Sequence, residues 1–309
     1  MTRKRSLALV LVSAVVLGAS AVLLLRPRSP LPRGLGGAIV FVSDRDGPGA
    51  LYWRRLPRDR ERRLTFGSEA AGEPAVSPDG TRVAFSMGGR IAVVAVATGE
   101  TRIVTLGVDG KDSQPAWLRD GRRLVVVARR RAGDPAGLHL LDLAPEGGAD
   151  RHPLTQPRAG DDASPTASLD GTSVVFVREG RLFRVSLADG RTQRLTGGFK
   201  TERSPRFLPS GGLVCAWSEG KRHGIDVMDA DGRNRRTLVE GQVFYRTVAP
   251  SPDGRFLVAT FTYDLGARML EILRPRPGEE VHLLDAEGRL LAVLERSWRS
   301  ANHSPDWGS

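Results

Sequence analysis

Acidic side chains recur at one position of a repeated segment, and this recurrence is the strongest sign of chemistry in the chain. Asp112, Asp162 and Glu202 each stand three residues before a proline. Carboxylates held close together repel one another and therefore favour a bound cation, such as a peptide amine or a metal ion. In other copies of the segment the equivalent position holds Ala71, Tyr245 and Asn302.

Two members of this set would add to a cation site. The ring of Tyr245 offers a cation–π contact worth roughly 0.5–2 kcal/mol, and the amide of Asn302 can fix the orientation of a ligand. The predicted ligand-binding residues are Asp112, Asp162, Glu202, Tyr245 and Asn302. The alternative is structural: each acid caps backbone N–H groups of the neighbouring repeat.

Other chemistry-bearing patterns are missing from the sequence. A Gly-x-Ser-x-Gly nucleophile motif does not occur. The five histidines lack metal-ligand spacing, and there is no glycine loop of the phosphate-binding kind. The single cysteine, Cys215, falls in an apolar run, where it is expected to pack as a small hydrophobic residue. The sequence therefore predicts no catalytic residue, no metal site and no cofactor.

The acids belong to a repeat that is built around a tight turn. Its clearest copy is Ser77–Gly80, which reads Ser-Pro-Asp-Gly, and Ser251–Gly254 repeats it without change. Proline presets φ, aspartate bonds nearby backbone, and glycine accepts a positive φ. The turn glycines are Gly80, Gly121, Gly171, Gly211 and Gly254, which are spaced 40–50 residues apart. Such a period indicates an array of identical supersecondary units.

Each unit contains four short apolar or alternating runs, as in a blade of a β-propeller. We predict an all-β, six-bladed propeller of four-stranded antiparallel blades over residues 38–309. The predicted blades are 38–66 with 302–309, 70–105, 112–155, 162–196, 202–239 and 245–295. The first blade lacks its own first strand, and Ser304–Trp307 near the carboxyl end has the matching pattern. We expect the two chain ends to share one blade and so close the ring.

These repeats resemble the TolB-like (WD-type, PD-repeat) β-propeller family. The resemblance rests on the Pro-x-x-Ser-Pro-Asp-Gly phrase at Pro74–Gly80, the Arg-Leu-Thr phrase at Arg194–Thr196 and the Asp-Gly turn at Asp231–Gly232. It covers nearly all of residues 38–309. TolB itself is a soluble periplasmic protein with an additional α/β domain before its propeller. The resemblance therefore implies a propeller of the bacterial cell envelope that binds proteins.

The amino-terminal segment is typical of an exported protein. Basic residues 3–5 precede an uncharged, mostly apolar run, residues 7–25, which is long enough as a helix to cross a bilayer. We predict a signal anchor or transmembrane helix over residues 1–28 and a Pro/Gly linker over residues 29–37. The alternative is a signal peptide cleaved after Ala19–Ala21. The first option predicts a single-pass protein of the inner or plasma membrane with the propeller outside the cytoplasm. The second predicts a soluble periplasmic or secreted protein.

The charge of the chain does not indicate nucleic-acid binding. The formal net charge is +11, but the basic residues are spread along the chain and match no recognised nucleic-acid module. We expect a monomer that binds an envelope protein or peptide and catalyses nothing. The alternatives are a propeller enzyme, a lyase or hydrolase acting on a carbohydrate or peptide at the tunnel mouth, and a structural subunit whose arginines contact anionic envelope polymers.

Overall fold

The computed structural model of the chain describes residues 31–57, 60–106, 110–145, 148–157, 159–263, 279–296 and 302–308. From Pro32 onward the chain forms one compact unit. Among the described residues no helix has the length and apolar character needed to cross a membrane. The predicted anchor at residues 1–28 and residues 29–30 of the predicted linker lie outside the described part.

Twenty-four strands make up the described part of the chain. In chain order they are β1 (Ala38–Ser43), β2 (Ala50–Arg55), β3 (Arg62–Arg63), β4 (Ala71–Val76), β5 (Arg82–Met87), β6 (Arg90–Ala95), β7 (Thr101–Ile103), β8 (Lys111–Trp117), β9 (Arg123–Arg129), β10 (Gly137–Leu143), β11 (Ala149–Pro153), β12 (Asp162–Ala167), β13 (Ser173–Arg178), β14 (Arg181–Ser186), β15 (Thr192–Arg194), β16 (Thr201–Phe207), β17 (Leu213–Glu219), β18 (Arg222–Met228), β19 (Arg236–Gly241), β20 (Val243–Pro250), β21 (Phe256–Tyr263), β22 (Glu279–Asp285), β23 (Leu290–Arg296) and β24 (Asn302–Gly308).

The strands form six four-stranded antiparallel sheets, which confirms the predicted six-bladed propeller. Five sheets take consecutive strands, from β4–β7 to β20–β23, and the sixth has the order β24-β1-β2-β3. One edge strand of each sheet contacts the corresponding strand of the next sheet. These six inner strands are β4, β8, β12, β16, β20 and β24.

The Ser-Pro-Asp-Gly turn joins an inner strand to the second strand of its sheet. Ser77 Oγ donates to Asp79 Oδ1 at 2.5 Å, and the same oxygen accepts the Thr81 amide at 3.0 Å. Gly80 has a φ of 70° and donates its amide to the Ser77 carbonyl at 2.8 Å. A residue with a side chain would be strained in this left-handed conformation. The turn therefore fixes where each inner strand ends.

The hydrophobic core lies between neighbouring sheets. Val40 and Leu51 of the first sheet pack with Val83, Phe85 and Val94 of the second, and all five are buried. Other clusters join later pairs of sheets in the same way. A four-stranded sheet alone would leave two apolar faces in water, so each sheet depends on both of its neighbours.

The carboxyl-terminal strand closes the ring, as predicted for the composite blade. β24 pairs with β1 so that Trp307 lies opposite Ile39 and Gly308 opposite Ala38. Trp307 is 7% exposed, and its indole N–H donates to the Gly36 carbonyl at 3.1 Å. Because β24 also contacts β4 and β20, each of the six inner strands has another inner strand on both sides.

This closure gives the first prediction. Trp307→Ala should lower the free energy of unfolding by about 3–5 kcal/mol, because it removes a large buried side chain where the two chain ends meet. Urea denaturation followed by circular dichroism measures the change. Phe199→Ala is the matched control, since Phe199 is 88% exposed, and its effect should be small. Equal effects of the two substitutions would show that β24 does not hold the ring closed.

Candidate functional site

A tunnel runs along the axis of the ring, and its wall is made by the inner strands. A narrow section of about 160 Å³ is lined by residues of β4, β8, β12, β16 and β20. A wider section of about 500 Å³ is lined by residues of all six inner strands and by the Ser-Pro-Asp-Gly turns. Pro115, Pro165 and Arg206 line both sections. The two sections are therefore consecutive parts of one tunnel, and Arg206 lies where they meet.

Each inner strand carries an irregularity where it faces the tunnel. The strand register shifts in all six, for example between Ser113 and Ala116. In four of them the residue before the proline position has a φ between 47° and 53°. These four residues are Glu73, Gln114, Ser164 and Ser204. Such a bulge turns a residue out of the pleat, so that it faces the tunnel instead of a neighbouring sheet.

The bulged residues are linked around the tunnel by hydrogen bonds. The backbone N–H of Gln114 donates to Glu73 Oε2 at 2.9 Å. The side-chain oxygen Oε1 of Gln114 in turn accepts the backbone N–H of Ser164 at 2.6 Å. Further round the ring the Val248 amide donates to Ser204 Oγ at 3.3 Å. Each side chain thus satisfies a backbone group of the following sheet that has no strand partner on the tunnel side.

Arginines dominate the charge of the tunnel wall. Arg203, Arg206 and Arg246 line the narrow section together with one acid, Glu73. Arg206 and Arg119 line the wide section together with Asp306. Burial raises the pKa of Asp306, although the Arg206 charge and the Val76 amide act in the opposite direction. The two sections are therefore lined by more arginines than carboxylates.

The three predicted acids, Asp112, Asp162 and Glu202, are buried, with 5%, 0% and 1% of their surface exposed. They line neither of these two sections, but Asp112 and Asp162 line a further cavity of about 440 Å³ together with Gln114, which also lines the narrow section. Strand side chains point to the faces of a sheet, and in a propeller those faces meet the neighbouring sheets. Only the edge of the sheet meets the axis. The acids consequently lie between sheets.

Each acid is bound by side chains, which for Asp112 belong to its own sheet and for Asp162 to its own sheet and the sheet before it. Asp162 accepts Arg178 Nε at 2.6 Å and the hydroxyl of Thr155, whose oxygen accepts the Leu138 amide at 2.8 Å. Asp112 accepts Arg151 Nη1 at 2.9 Å. These donors are side chains, so neither acid caps a backbone N–H group in the way that the structural alternative describes.

Glu202 has the same arrangement in the next repeat. It accepts the Thr196 hydroxyl, the Arg235 guanidinium and, at 3.1 Å, the Leu182 amide. The Thr196 oxygen accepts that same amide at 2.9 Å. A carboxylate and a threonine together thus hold the end of an inner strand against the preceding sheet. Ligand binding by the acids stays a prediction.

The equivalent positions of the other sheets hold Tyr245, Ala71 and Asn302. Tyr245 is 6% exposed and packs in the core with Val248, and burial raises the pKa of its hydroxyl. Ala71 is buried in the core between the first two sheets. The backbone of Asn302, in β24, pairs with that of Ser43 in β1, and the Asn302 side chain lies outside the described residues. The sequence identified equivalent strand positions but not the direction of their side chains.

A sequence pattern marks the residues that face the tunnel. They are the residues beside the repeat proline, and the fourth copy reads Arg203-Ser204-Pro205-Arg206. In the part of the chain that the structure covers, no three His, Cys, Asp or Glu side chains are placed to hold one metal ion. The polar groups on the tunnel wall are guanidinium groups, hydroxyls, amides and the carboxylates of Glu73 and Asp306.

Comparison with known proteins identifies related sequences. A family model described as the TolB beta propeller domain matches residues 73–298. A protein from Chlorobium chlorochromatii (strain CaD3), named as a TolB homolog, is 37% identical over 146 residues, which cover 46% of this chain and 31% of the relative. The match therefore spans about a third of the length of that curated relative.

Solved structures share the fold. The crystal structure of TolB from Acinetobacter baumannii superposes with a TM-score of 0.69 at 16% identity, covering 88% of this chain and 67% of the other. An oligogalacturonate lyase in complex with manganese superposes with a TM-score of 0.59 at 16% identity, covering 85% and 76%. Both similarities are of fold alone, and a propeller of this kind hosts binding proteins and enzymes alike.

The contacts of Asp162 give the second prediction. Asp162→Asn should lower the free energy of unfolding by about 3 kcal/mol, because it leaves the Arg178 charge without its buried partner. Asp142→Asn is the matched control, since the Asp142 side chain is 44% exposed and its ion pair with His152 is long, at 3.8 Å. Calorimetric unfolding of both variants tests this. Unchanged stability of Asp162→Asn together with weakened ligand binding would instead support the ligand-binding role predicted from the sequence.

A buried histidine beside the Asp112–Arg151 pair gives the third prediction. Burial, together with the charges of Arg130 and Arg151, lowers the pKa of His139 to about 4, and the charge of Asp112 acts in the opposite direction. The ordinary pKa is 6.5, so between pH 6.5 and 4 the unfolded chain binds a proton that the native His139 does not. Stability should therefore fall as the pH is lowered through this window.

His139→Gln should flatten this part of the curve of unfolding free energy against pH. His152→Gln is the control, because the His152 side chain is 66% exposed. This substitution should leave the slope of unfolding free energy against pH unchanged. Urea titrations at a series of pH values measure the slopes. Parallel curves for His139→Gln and the unmodified protein would contradict the assignment.

Proposed function

We propose that this chain, which belongs to the TolB β-propeller family, is a non-catalytic binding protein of the cell envelope whose partner inserts a peptide segment into the axial tunnel. The observation that carries the proposal is the tunnel itself. Its wide section of about 500 Å³ is lined by proline, tryptophan and arginine side chains from the inner strands. Such a mixture of apolar surface and a few charged groups suits the recognition of a peptide.

Family membership supports a binding function in the envelope. The chain shares the propeller of proteins named as TolB homologs, although the match spans only part of their length. We further propose that residues 7–25 keep the propeller at the membrane, outside the cytoplasm. The apolar run between basic flanks in the sequence supports this location.

Tunnel-facing and outward-facing positions can be compared by photo-cross-linking. Arg119 is exposed and lines the wide section, whereas Arg191, whose side chain is 89% exposed, lies on the turn between the two outer strands of its sheet. Each is replaced in the full chain by p-benzoylphenylalanine, and the chain is irradiated in cells of its own species.

This experiment gives the fourth prediction. Position 119 should yield a discrete protein adduct, and position 191 should yield none, because the partner contacts the tunnel entrance. Mass spectrometry of the adduct identifies the partner and shows whether it is an envelope protein. No adduct at position 119, or the same adducts at both positions, would contradict the proposal. Turnover of oligogalacturonates by the purified chain would favour an enzyme instead.

A further inference from the structure

Arg203 is a half-buried charge that the described residues leave without a carboxylate. Its guanidinium donates to the Tyr245 carbonyl at 3.3 Å and to the Ser218 hydroxyl, and it lies 4.4 Å from the centre of the Phe244 ring. No ion pair within 4.0 Å involves Arg203 in the described part of the chain. A guanidinium has five N–H donors, so neutral groups hold Arg203 in place while several donors stay available.

Other buried arginines of the protein behave differently. Arg178 and Arg235 each bind a carboxylate that is fully shielded from solvent. Burial lowers the pKa of Arg203, and the nearby charge of Arg246 lowers it further. A charge placed in this way costs free energy in the folded protein unless an anion binds to it. Arg203 therefore stands apart from the arginines that hold the sheets together.

Arg206 continues the positive surface toward the wide section. Its side chain is 26% exposed, and its Nε atom lies 3.9 Å from Asp306 Oδ1, beyond hydrogen-bonding distance. One of its terminal nitrogens donates to the Pro205 carbonyl at 3.0 Å. An anionic group that enters through the wide section meets Arg206 first and then reaches Arg203 in the narrow section.

Glu73, the one acid on the wall of the narrow section, already has partners. One of its oxygens accepts the Gln114 amide and the Ser86 hydroxyl, at 2.9 and 3.0 Å. Among the described contacts it forms no ion pair with the tunnel arginines. The positive charge in the narrow section is therefore not neutralised by Glu73.

From this geometry we propose that the narrow section binds a carboxylate of a peptide segment, held by Arg203 and Arg206. This inference rests on the proposed function and specifies the chemistry of the segment that enters the tunnel. A guanidinium matches a carboxylate in its planar fork and can donate two parallel hydrogen bonds to it. The carboxylate comes either from a Glu or Asp side chain or from the end of a chain.

The narrow section suits a carboxylate. A space of about 160 Å³ accommodates a small planar group with a short stem. The hydroxyls and amides of the bulged residues also suit the peptide backbone that accompanies a carboxylate.

Isothermal titration calorimetry of the full chain tests the proposal with three peptides. The first, acetyl-Gly-Ser-Gly-Ser-Glu-Glu-amide, offers side-chain carboxylates only. The second, acetyl-Gly-Ser-Gly-Ser-Gly-Gly with a free carboxyl end, offers a terminal carboxylate only. The third has glutamine in place of glutamate and is the neutral control. Inorganic phosphate is titrated separately as a competitor.

At least one acidic peptide should bind saturably at a single site, and the neutral peptide should not bind. Arg203→Gln and Arg206→Gln should each weaken binding by about tenfold or more, which corresponds to the loss of a charge-assisted hydrogen bond. Arg191→Gln removes the same charge from the outer surface and should leave the affinity unchanged. Arg203→Lys keeps the positive charge but loses the planar guanidinium, so this variant should bind the peptide with intermediate affinity. That result would separate an effect on binding from a folding defect.

The inference would be overturned if neither acidic peptide bound saturably, or if phosphate bound to the site as well as the peptides do. It would also be overturned if Arg191→Gln weakened peptide binding as much as the tunnel variants, or if Arg203→Gln and Arg206→Gln left the affinity unchanged. If these titrations fail while position 119 still cross-links to a partner, the proposed function stands and the carboxylate site is wrong. If both fail, the proposed function is wrong as well.

Discussion

The inner edges of the six sheets impose the constraint on which the rest of the structure depends. Each inner strand pairs with its own sheet on one side only, so its other side presents backbone N–H and C=O groups to a tunnel where no further strand can pair. Two devices deal with these groups. A proline removes a donor, and a bulge brings a side chain, such as that of Glu73 or Gln114, to accept an amide of the next sheet. Because these acceptors come from neighbouring sheets, the ring is held together at its narrowest point.

The same requirement explains why the propeller and its closure could be predicted from the sequence. A turn glycine follows five of the six inner strands, and the period of these glycines gives the size of the sheets. The partial match of Ser304–Trp307 to the repeated phrase was enough to place β24 beside β1. These features are local, since they depend on backbone conformations that few residue types can adopt.

The direction of side chains could not be obtained from the same pattern. Asp112, Asp162 and Glu202 do occupy equivalent positions, and each inner-strand amide there binds a carbonyl of the preceding sheet. Their side chains nevertheless turn toward arginine and threonine partners between sheets. The arginine partners come from more distant parts of the sequence, as Arg151 does for Asp112. The bulge also changes the alternation of side chains along the strand, so counting residues from the proline gives the wrong face. For this reason Arg203 and Arg206 were missed.

The chemistry of the tunnel wall, and not the fold, separates the possible functions, because binding proteins and enzymes share this propeller. Hydrogen–deuterium exchange of the full chain, with and without a saturating acidic peptide, tests most directly whether the wall is the binding surface. The account predicts slower exchange confined to inner-strand segments 201–207 and 243–250, with the outer strands unchanged. Protection of outer strands, or of no segment at all, would contradict it.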